Sequence, residues 1–275
     1  MIRVHPSAVV DRDAVLEDGV EVGPLCVVGG GVRVGRNTRL VAQVSLQGAL
    51  VMGADNIVYP FACLGADAQH RDAVPGEATT LEIGSGNVFR EHVTVHRGTQ
   101  GGSGRTVIGS QCLLMAGCHV AHDAVVGDGV VLTNHALLAG HVTVGDRAVV
   151  AGAAAVAQFV RLGESCFVAG NAMVERDVPP FLIAAGDRAT LRAVNTVGLQ
   201  RRGIASSSLR AVGDAFEALF PQHSRGSANC QKDPTDGSCA GLSWRRDVWV
   251  QRLLAFLEAP SRAGVMARRR IRAKS

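Results

Sequence analysis

The fold is decided by a repeat of six residues, clearest in residues 120–150, which read VAHDAVVGDGVVLTNHALLAGHVTVGDRAVV. An aliphatic side chain returns at every sixth position, and glycine often follows it, as in Val126-Gly127 and Val144-Gly145. The same frame extends to both sides of this stretch with two interruptions. Its aliphatic and aromatic positions are Val4, Val10, Leu16, Val22, Val28, Val34, Leu40, Leu46, Met52, Val58, Leu64, Ile83, Phe89, Val95, Ile108, Leu114, Val120, Val126, Leu132, Leu138, Val144, Val150, Val156, Leu162, Val168 and Val174. Chance does not keep such a frame for twelve consecutive repeats, so the pattern predicts a solenoid.

A period of six corresponds to two strand alternations and a turn. We expect one aliphatic residue per repeat to point inward, and the small residue after it to allow a turn where a larger side chain would clash. Three such faces close a triangular coil of 18 residues, and successive coils stack about 4.8 Å apart through parallel-strand hydrogen bonds. The sequence therefore predicts a mainly β fold, a parallel β-helix, whose handedness the period alone does not determine.

Two interruptions of the repeat, at 66–81 and 98–106, are rich in glycine, proline and polar residues. Loops that leave a regular solenoid are usually functional or tolerated insertions. Both interruptions lie close in sequence to a group of histidines, which favours a functional role.

The repeat ends near Asp177-Val178-Pro179-Pro180, and the C-terminal part has a different pattern. Helical periodicity appears at 190–202, 206–219 and 244–258, whereas 222–241 has the composition of a flexible loop. We therefore expect a β-helix domain at 1–186 and a C-terminal helical region with a basic tail at 187–275.

The composition of the 275 residues limits the classes of protein. Aromatic residues make up only 4% of the chain and glycine contributes 33 residues, which is typical of many short strands and tight turns. No apolar run reaches the roughly 18 residues that span a bilayer, and the first ten residues do not resemble a signal peptide. These features predict a soluble, cytoplasmic protein without a membrane span. The seven cysteines form no CxxC pair, so we expect neither a disulfide framework nor a structural zinc site.

The net charge of +4 is unevenly distributed along the chain. From Arg188 to the end, 16 basic residues stand against 6 acidic ones, a balance of +10; the preceding 187 residues have 12 against 18, a balance of −6. This asymmetry predicts an acidic partner at one end of the molecule, although a solvated tail at 267–275 explains part of it equally well. Basic residues do not alternate with aromatic ones, which disfavours nucleic-acid binding.

The 18-residue coil brings polar residues into register. Residues 18 apart form two adjacent columns, His122–Gly140–Gln158 and Asp123–His141–Phe159. An imidazole, a neighbouring carboxylate and a backbone amide without a side chain could supply a general base, its orienting group and an oxyanion donor. A single histidine on a strand is more often structural or merely exposed. Four histidines in or near consecutive coils favour a function, namely His96, His119, His122 and His141.

Several segments are more specific than the repeat. They are VTVHRGT (93–99), LLMAGCHVAHDAVVG (113–127), LAGHVTV (138–144), QFVRLG (158–163), DVPPFLIAAG (177–186) and VNTVGLQRRG (194–203). Together they resemble the UDP-N-acetylglucosamine O-acyltransferase family, which catalyses the first step of lipid A biosynthesis. The resemblance covers about 1–220, and both interruptions of the repeat occur where the family has them.

The resemblance implies a fold, a reaction and its partners. Family members form left-handed β-helices, assemble as homotrimers and transfer an (R)-3-hydroxyacyl group from acyl carrier protein to the 3-OH of UDP-N-acetylglucosamine, without a cofactor or a catalytic metal. By position, His122 corresponds to the general base, Asp123 to the group that orients it, and Gly140 to the oxyanion donor.

The resemblance also assigns substrate contacts. Asn195 and Arg201 would contact the nucleotide, and Gly170, lacking a side chain, would leave the acyl groove open to a long chain. For Gly170, a simple turn glycine is an equally good interpretation on physical grounds. Arg202 and the basic C-terminal region would suit the acidic carrier protein. The cleft between subunits would be lined by His96, His119, His141 and Gln158.

Two positions depart from the family pattern. Where the family has Gln-Asp-Leu-Lys-Tyr, this chain has Gln69-His70-Arg71-Asp72-Ala73, so His70, Arg71 and Asp72 are the candidate acceptor contacts. At 157 a family histidine is replaced by Ala157. Neither change removes the expected base, and both bear on the identity of the sugar.

Three alternatives follow from the residues. The acceptor could be a UDP-sugar with a 3-amino group, which would give an amide. The histidines His119, His122 and His141 could instead bind zinc, as in a lyase of the carbonic anhydrase kind. A scaffold without catalysis is the third alternative, and the intact set of His122, Asp123 and Gly140 disfavours it.

Overall fold

The computed structural model describes residues 1–74, 76–221 and 243–268. The predicted loop at 222–241 and residues 269–275 of the basic tail lie outside the described residues.

Most of the chain folds into very short strands, commonly two residues long. In chain order they are β1 (Arg3–Val4), β2 (Val9–Val10), β3 (Val15–Leu16), β4 (Glu21–Val22), β5 (Val27–Val28), β6 (Val32–Val34), β7 (Arg39–Leu40), β8 (Ser45–Leu46), β9 (Ala49–Met52), β10 (Ile57–Val58), β11 (Cys63–Ala66), β12 (Thr80–Ile83), β13 (Val88–Phe89), β14 (Thr94–His96), β15 (Arg105–Ile108), β16 (Leu113–Leu114), β17 (His119–Val120), β18 (Val125–Val126), β19 (Val131–Leu132), β20 (Leu137–Leu138), β21 (Thr143–Val144), β22 (Val149–Val150), β23 (Ala155–Val156), β24 (Arg161–Leu162), β25 (Phe167–Val168), β26 (Met173–Val174), β27 (Leu182–Ala185) and β28 (Thr190–Val194).

These strands form the three faces of a left-handed parallel β-helix. Every third strand belongs to the same face: sheet A contains β1, β4 and so on, sheet B contains β2, β5 and so on, and sheet C contains β3, β6 and so on. Partner residues in successive coils are 18 apart, as in Val4 with Val22 and Leu138 with Val156. The mainly β architecture predicted from the repeat is therefore confirmed.

The core differs in one respect from the expectation. Two residues per repeat point inward, not one: the aliphatic residue of the frame and the residue two positions before it. Val142 and Val144 illustrate the pair, with at most 1% of either exposed. The second position is usually valine, alanine or cysteine. These smaller side chains carry a weaker hydrophobic signal, so the frame of large aliphatic residues did not reveal them.

The glycines that follow the frame residues are required by close packing between coils. A Cβ on Gly145 would lie 2.6 Å from the backbone nitrogen of Glu164 in the next coil. The left-handed backbone conformation occurs two residues later, at Arg147 with φ of 55°, and a non-glycine residue adopts it there. Glycine at this corner thus serves close approach and not unusual dihedral angles.

The two interruptions leave the β-helix at the same edge. One connects β11 to β12 and the other connects β14 to β15, both where the chain passes from sheet B to sheet C. We call this corner the B–C edge. Residues paired across the insertions are 31 apart (Met52 with Ile83) and 25 apart (Ile83 with Ile108), so the core register resumes after each loop.

The C-terminal part is only partly as predicted. Helices α1 (Thr196–Arg201), α2 (Ser206–Leu219) and α3 (Val248–Glu258) form, with a 3₁₀ turn at Ser243–Arg246. The helix expected at 190–202 is wrong in its first half, because β28 pairs there antiparallel with β27. By pairing with β27, β28 supplies hydrogen-bond partners for backbone N–H and C=O groups at the end of sheet A. A helix at the same place would leave those groups unpaired. The division into domains at 186/187 falls in this hairpin and stays a prediction.

Within the described ranges, none of the helices combines the length and the apolar character that crossing a membrane requires.

Replacing Gly145 by alanine tests the packing between coils. We expect Gly145→Ala to lower the free energy of unfolding by about 1–3 kcal/mol, because the new Cβ meets backbone that cannot move without shifting a coil. Gly213→Ala is the matched control: it lies within α2, where a Cβ meets nothing within 4 Å, and should stabilise the protein by up to about 1 kcal/mol. Urea unfolding curves measure both. Equal effects of the two substitutions would contradict this account of the corner.

Candidate active site

His122 and Asp123 form a buried pair on the B–C edge, at the corner between β17 and β18. The imidazole Nδ1 lies 2.8 Å from Asp123 Oδ2, and the exposed fractions of the two side chains are 7% and 0%. Adjacent residues can meet in this way because Asp123 adopts the left-handed conformation of the corner, with φ of 59°. The backbone nitrogen of Asp123 in turn donates to Thr106 Oγ1 at 2.8 Å.

The second loop holds the Asp123 carboxylate. Thr99 donates to it from its backbone nitrogen and, at 2.7 Å, from Oγ1. Ser103 donates from its nitrogen at 2.7 Å and from Oγ at 2.9 Å, and the Gly104 nitrogen donates at 3.2 Å. A Cβ on Gly102 would lie 2.5 Å from Asp123 Oδ2. Thr99 and Ser103 were not among the residues predicted for the site, although the polar, glycine-rich composition of 98–106 indicated a functional loop.

These hydrogen bonds determine the protonation state of the pair. Burial alone would raise the pKa of Asp123, but the bonds from His122, Thr99 and Ser103 outweigh it and lower the pKa to about 2. An ionised carboxylate can only accept, so His122 Nδ1 must carry the hydrogen between them. The other ring nitrogen, Nε2, then has a free lone pair, as a general base requires.

Gly140 lies directly above His122. A Cβ on Gly140 would be 2.7 Å from His122 Nε2, so any larger residue there would displace the imidazole. No hydrogen bond from the Gly140 amide nitrogen to another described residue is found. At the corner where sheet C passes to sheet A, the backbone N–H groups that lie two residues after a frame residue, as Gly140 does, have partners. The Ser110 nitrogen donates to the Asp128 side chain of the next coil, and the Asp128 nitrogen donates to that of Asp146. The amide beside His122 is thus available to a ligand.

Further rings surround His122. His70 and His141 each approach it edge-on, with ring centroids 5.5 and 5.2 Å away. His141 is stacked on Phe159 at 4.6 Å. Burial lowers the pKa of His141; Asp123 opposes this effect, and the nearby Arg262 adds to it. A neutral His141 does not compete with His122 for Asp123, whose Oδ2 is 3.9 Å from His141 Nε2.

His119, three residues before His122, forms a second pair of rings with His96, and their centroids are 5.2 Å apart. His119 Nδ1 is 2.8 Å from Thr94 Oγ1, a contact that the sequence analysis did not anticipate. Burial, with smaller effects of His96 and His122, lowers the pKa of His119 to about 4, and burial also lowers that of His96. Both rings are therefore neutral at neutral pH and suited to hydrogen bonding with uncharged groups of a substrate.

An open groove of about 320 Å³ runs past these residues. Its polar lining consists of Gln69, His119, His122 and Gln158, and the Gly140 backbone lies on its wall. Its apolar lining includes Leu137 and Ala155 of sheet B. The groove thus has a reactive polar end and an apolar side.

Comparisons with known proteins agree with this geometry. Residues 105–140 match the model of the bacterial transferase hexapeptide with six repeats, and residues 177–266 match that of UDP N-acetylglucosamine O-acyltransferase, domain 2. The acyl-[acyl-carrier-protein]–UDP-N-acetylglucosamine O-acyltransferase of Halorhodospira halophila is 40% identical over 95% of this chain and 98% of its own length. The protein of the same name from Thermodesulfovibrio yellowstonii is 43% identical over 80% of this chain and 85% of its own.

The chain belongs to the UDP-N-acetylglucosamine O-acyltransferase family. It is an acyltransferase, as the resemblance implied. Among solved structures, the UDP-N-acetylglucosamine O-acyltransferase of Moraxella catarrhalis is 36% identical and superposes with a TM-score of 0.77, covering 79% of this chain and 84% of that one.

Some residues expected from the family do not reach the His122 groove within one chain. Asn195 caps α1, accepting from the Gly198 nitrogen and donating to the Ser165 carbonyl, at the corner between sheets C and A. Arg201, at the end of α1, is exposed on the same side. His70, Arg71 and Asp72 of the first loop are all exposed, and the His70 ring approaches that of His122.

Gly170 occupies a third position, at the corner between sheets A and B. Its φ is not in the left-handed region, and the nearest atom to an added Cβ would be the Gly152 carbonyl oxygen at 3.4 Å. Neither the turn nor packing within the chain requires glycine there, which weakens the interpretation of Gly170 as a simple turn residue.

The set of residues that could approach a metal together is His122, Asp123 and His141, whose ligand atoms lie within 4.8 Å of one another. His119, which the zinc alternative required, is not in this set among the described residues. The oxygens of Asp123 already accept from His122 and from loop 98–104, and a carboxylate offers about four lone-pair sites. Because these hydrogen bonds occupy the oxygens of Asp123, the three residues are better suited to a carboxylate that orients His122 than to binding a metal ion.

The pKa of Asp123 gives a pH-dependent prediction. With a pKa of about 2 when folded and about 3.9 when unfolded, the ionised carboxylate stabilises the fold by about 2 kcal/mol at pH 7; this contribution is fully present above about pH 4 and is lost as the pH falls through about 2. We expect Asp123→Asn to be less stable than the parent at pH 7, with a difference that shrinks between pH 4 and pH 2. Denaturant unfolding at fixed protein concentration measures it. The exposed Asp187→Asn is the control, and a difference for Asp123→Asn that is independent of pH would contradict the account.

Proposed function

We propose that this chain transfers an (R)-3-hydroxyacyl group from acyl carrier protein to the 3-OH of UDP-N-acetylglucosamine, the first step of lipid A biosynthesis. The observation that carries the proposal is the arrangement of a buried Asp123–His122 pair beside the free amide of Gly140. The names of the relatives from Halorhodospira halophila and Thermodesulfovibrio yellowstonii specify both substrates and so support the same reaction.

The arrangement suits acyl transfer from a thioester in two steps. His122 Nε2 takes the proton from the sugar hydroxyl as its oxygen attacks the thioester carbonyl, and Asp123 stabilises the resulting imidazolium. The Gly140 N–H donates to the oxyanion of the tetrahedral intermediate. As the carbon–sulfur bond breaks, the imidazolium returns the proton to the departing thiolate, which leaves an ester and the free thiol of the carrier protein.

An apolar strip on sheet B offers a place for the acyl chain. The outward side chains above His119 are those of Leu137, Ala155 and Met173, in register on successive coils about 4.8 Å apart. Leu137 and Met173 are 44% and 45% exposed. Gly170 precedes Met173 at the edge of the same sheet, so a residue with a side chain there would narrow the far end of the strip. We propose that Gly170 keeps this end open to a long acyl chain.

A site shared between subunits explains the distance of Asn195 and Arg201 from His122. We propose a homotrimer in which these residues of one chain complete the groove of another and contact its nucleotide, together with His96, His141 and Gln158. The outward face of sheet A supports this because it is apolar in its upper half, at Ile57, Val88, Leu113, Val131, Val149 and Phe167. Such a contiguous surface is typical of an interface.

The remaining substrate contacts concern the carrier protein and the sugar. We propose that basic residues of the C-terminal region bind the acidic carrier protein and that the reaction takes place in the cytoplasm, where both substrates occur. Gln69 lines the groove and His70 approaches His122, and we propose that both contact the sugar; Arg71 and Asp72 would reach it from the same exposed loop.

A transfer assay with His122→Ala tests the proposal. (R)-3-hydroxyacyl carrier proteins of several chain lengths are offered with UDP-N-acetylglucosamine or its 3-amino analogue. We expect ester formation from UDP-N-acetylglucosamine, and a reduction of about a hundredfold to ten-thousandfold in His122→Ala, because removal of a general base costs that much. His135→Ala, which removes an exposed imidazole from another edge, is the control and should keep full activity. Transfer to the amino analogue alone would move the reaction to amide formation, and an undiminished rate in His122→Ala would refute the mechanism.

A further inference from the structure

Arg262 brings the C-terminal segment to a row of rings that leads to His122, which lines the groove. Its guanidinium lies over the ring of Phe159, 4.8 Å from the ring centroid. Phe159 is stacked on His141, which approaches His122 edge-on. A side chain far along the sequence thus ends a row of rings that begins at His122.

The position of Arg262 is fixed by backbone pairing. The Asp177 nitrogen donates to the Gly264 carbonyl at 2.8 Å, and the Met266 nitrogen donates to the Asp177 carbonyl at 2.9 Å. Asp177 belongs to the last corner of the B–C edge, where its carboxylate accepts from the backbone nitrogen of Arg161 at 2.8 Å. The last turn of that edge is two residues shorter than the others, since Val174 pairs with Val156 but Val178 pairs with Leu162. The segment carrying Arg262 is therefore held at the last corner of the B–C edge, the edge on which His122 lies.

Most of the arginines that lie over aromatic rings also have their charge paired with a carboxylate, and Arg262 differs from them in this respect. Each of five others also pairs with a carboxylate: Arg90 with Glu91, Arg161 with Asp177, Arg202 and Arg252 with Glu164, and Arg268 with Glu217. No carboxylate or carbonyl partner of Arg262 is found within the part of the chain that the structure describes. Stacking on Phe159 orients a planar guanidinium and leaves its N–H donors free along the edge.

A second guanidinium lies at the same end. Arg176 Nη1 is 3.6 Å from the position that a Cβ on Gly264 would occupy, two residues beyond Arg262 in the chain. Arg176 is exposed and, like Arg262, has no carboxylate partner among the described residues. The nearest carboxylate on the side of the rings is Asp123, which is already bonded to His122 and to loop 98–104, so neither arginine is paired with a carboxylate among the described residues. A bound anion would pair with both.

We infer that Arg262, with Arg176 beside it, binds a phosphate group of a substrate at the C-terminal end of the groove. This inference rests on the proposed function, which supplies two phosphate-bearing ligands: the nucleotide sugar with its diphosphate, and the carrier protein with the phosphodiester of its prosthetic arm. Planar, bidentate recognition of phosphate is the chemistry for which arginine is best suited. Phe159 acts in this arrangement as the positioning residue of Arg262.

Paired ligands that differ by phosphate test the inference and its two sources. Calorimetric titration compares UDP with uridine, and 4′-phosphopantetheine with pantetheine, in the parent and in Arg262→Ala and Arg262→Lys. We expect the parent to prefer the phosphorylated member, and Arg262→Ala to lose about tenfold to hundredfold of that preference in one pair, which identifies the source. Arg262→Lys should retain a larger part of it, because the charge remains although the fork is lost. Arg12→Ala, an exposed arginine at the other end, is the control.

The outcomes separate this inference from the proposed function. Unchanged preferences in both pairs, or an equal loss of the phosphorylated and unphosphorylated members in Arg262→Ala, would overturn the inference, since the second result would indicate a structural role. Transfer by the parent is measured in parallel. Loss of the phosphate preference in Arg262→Ala supports the inference even if the parent shows no transfer, a result that would count against the proposed function alone.

Discussion

The stacking of coils in register is the constraint on which the rest of the molecule depends. Parallel hydrogen bonding fixes partners 18 residues apart, as Val120 is paired with Leu138 and Leu138 with Val156. A residue's place on the outer surface is thereby fixed by its number. His122 meets the backbone of Gly140 because they occupy the same corner in consecutive coils. The active-site residues are therefore positioned by backbone pairing and not by a flexible loop.

Departures from the register occur where chemistry is added. Both insertions leave at the B–C edge, and the second returns Thr99 and Ser103 to Asp123. The shortened last corner at the same edge accepts the C-terminal segment through Asp177. A solenoid tolerates extra residues at a corner because the coils before and after it keep their pairing. The fold thus positions His122 and Gly140, whereas the second loop supplies the groups that hold Asp123.

Periodicity was sufficient to predict the β-helix, its strand positions and the juxtaposition of His122, Asp123 and Gly140. It could not predict that Thr99 and Ser103 bind Asp123, because residues in an insertion have no register. The strand at Thr190–Val194 was missed for a related reason: it forms only because β27 offers an edge, a tertiary effect that local periodicity does not contain. The approach of Arg262 to Phe159 likewise joins segments about a hundred residues apart, and no spacing rule relates them.

A crystal structure of the protein with its acylated nucleotide-sugar product tests the central claim most directly. The account predicts the ester-linked 3-oxygen of the sugar next to His122 Nε2, which took its proton, and the ester carbonyl oxygen about 3 Å from the Gly140 amide nitrogen, which donates to it. An ester bound elsewhere, or one whose carbonyl oxygen faces away from Gly140 with no donor nearby, would contradict the assignment of this edge as the site of acyl transfer.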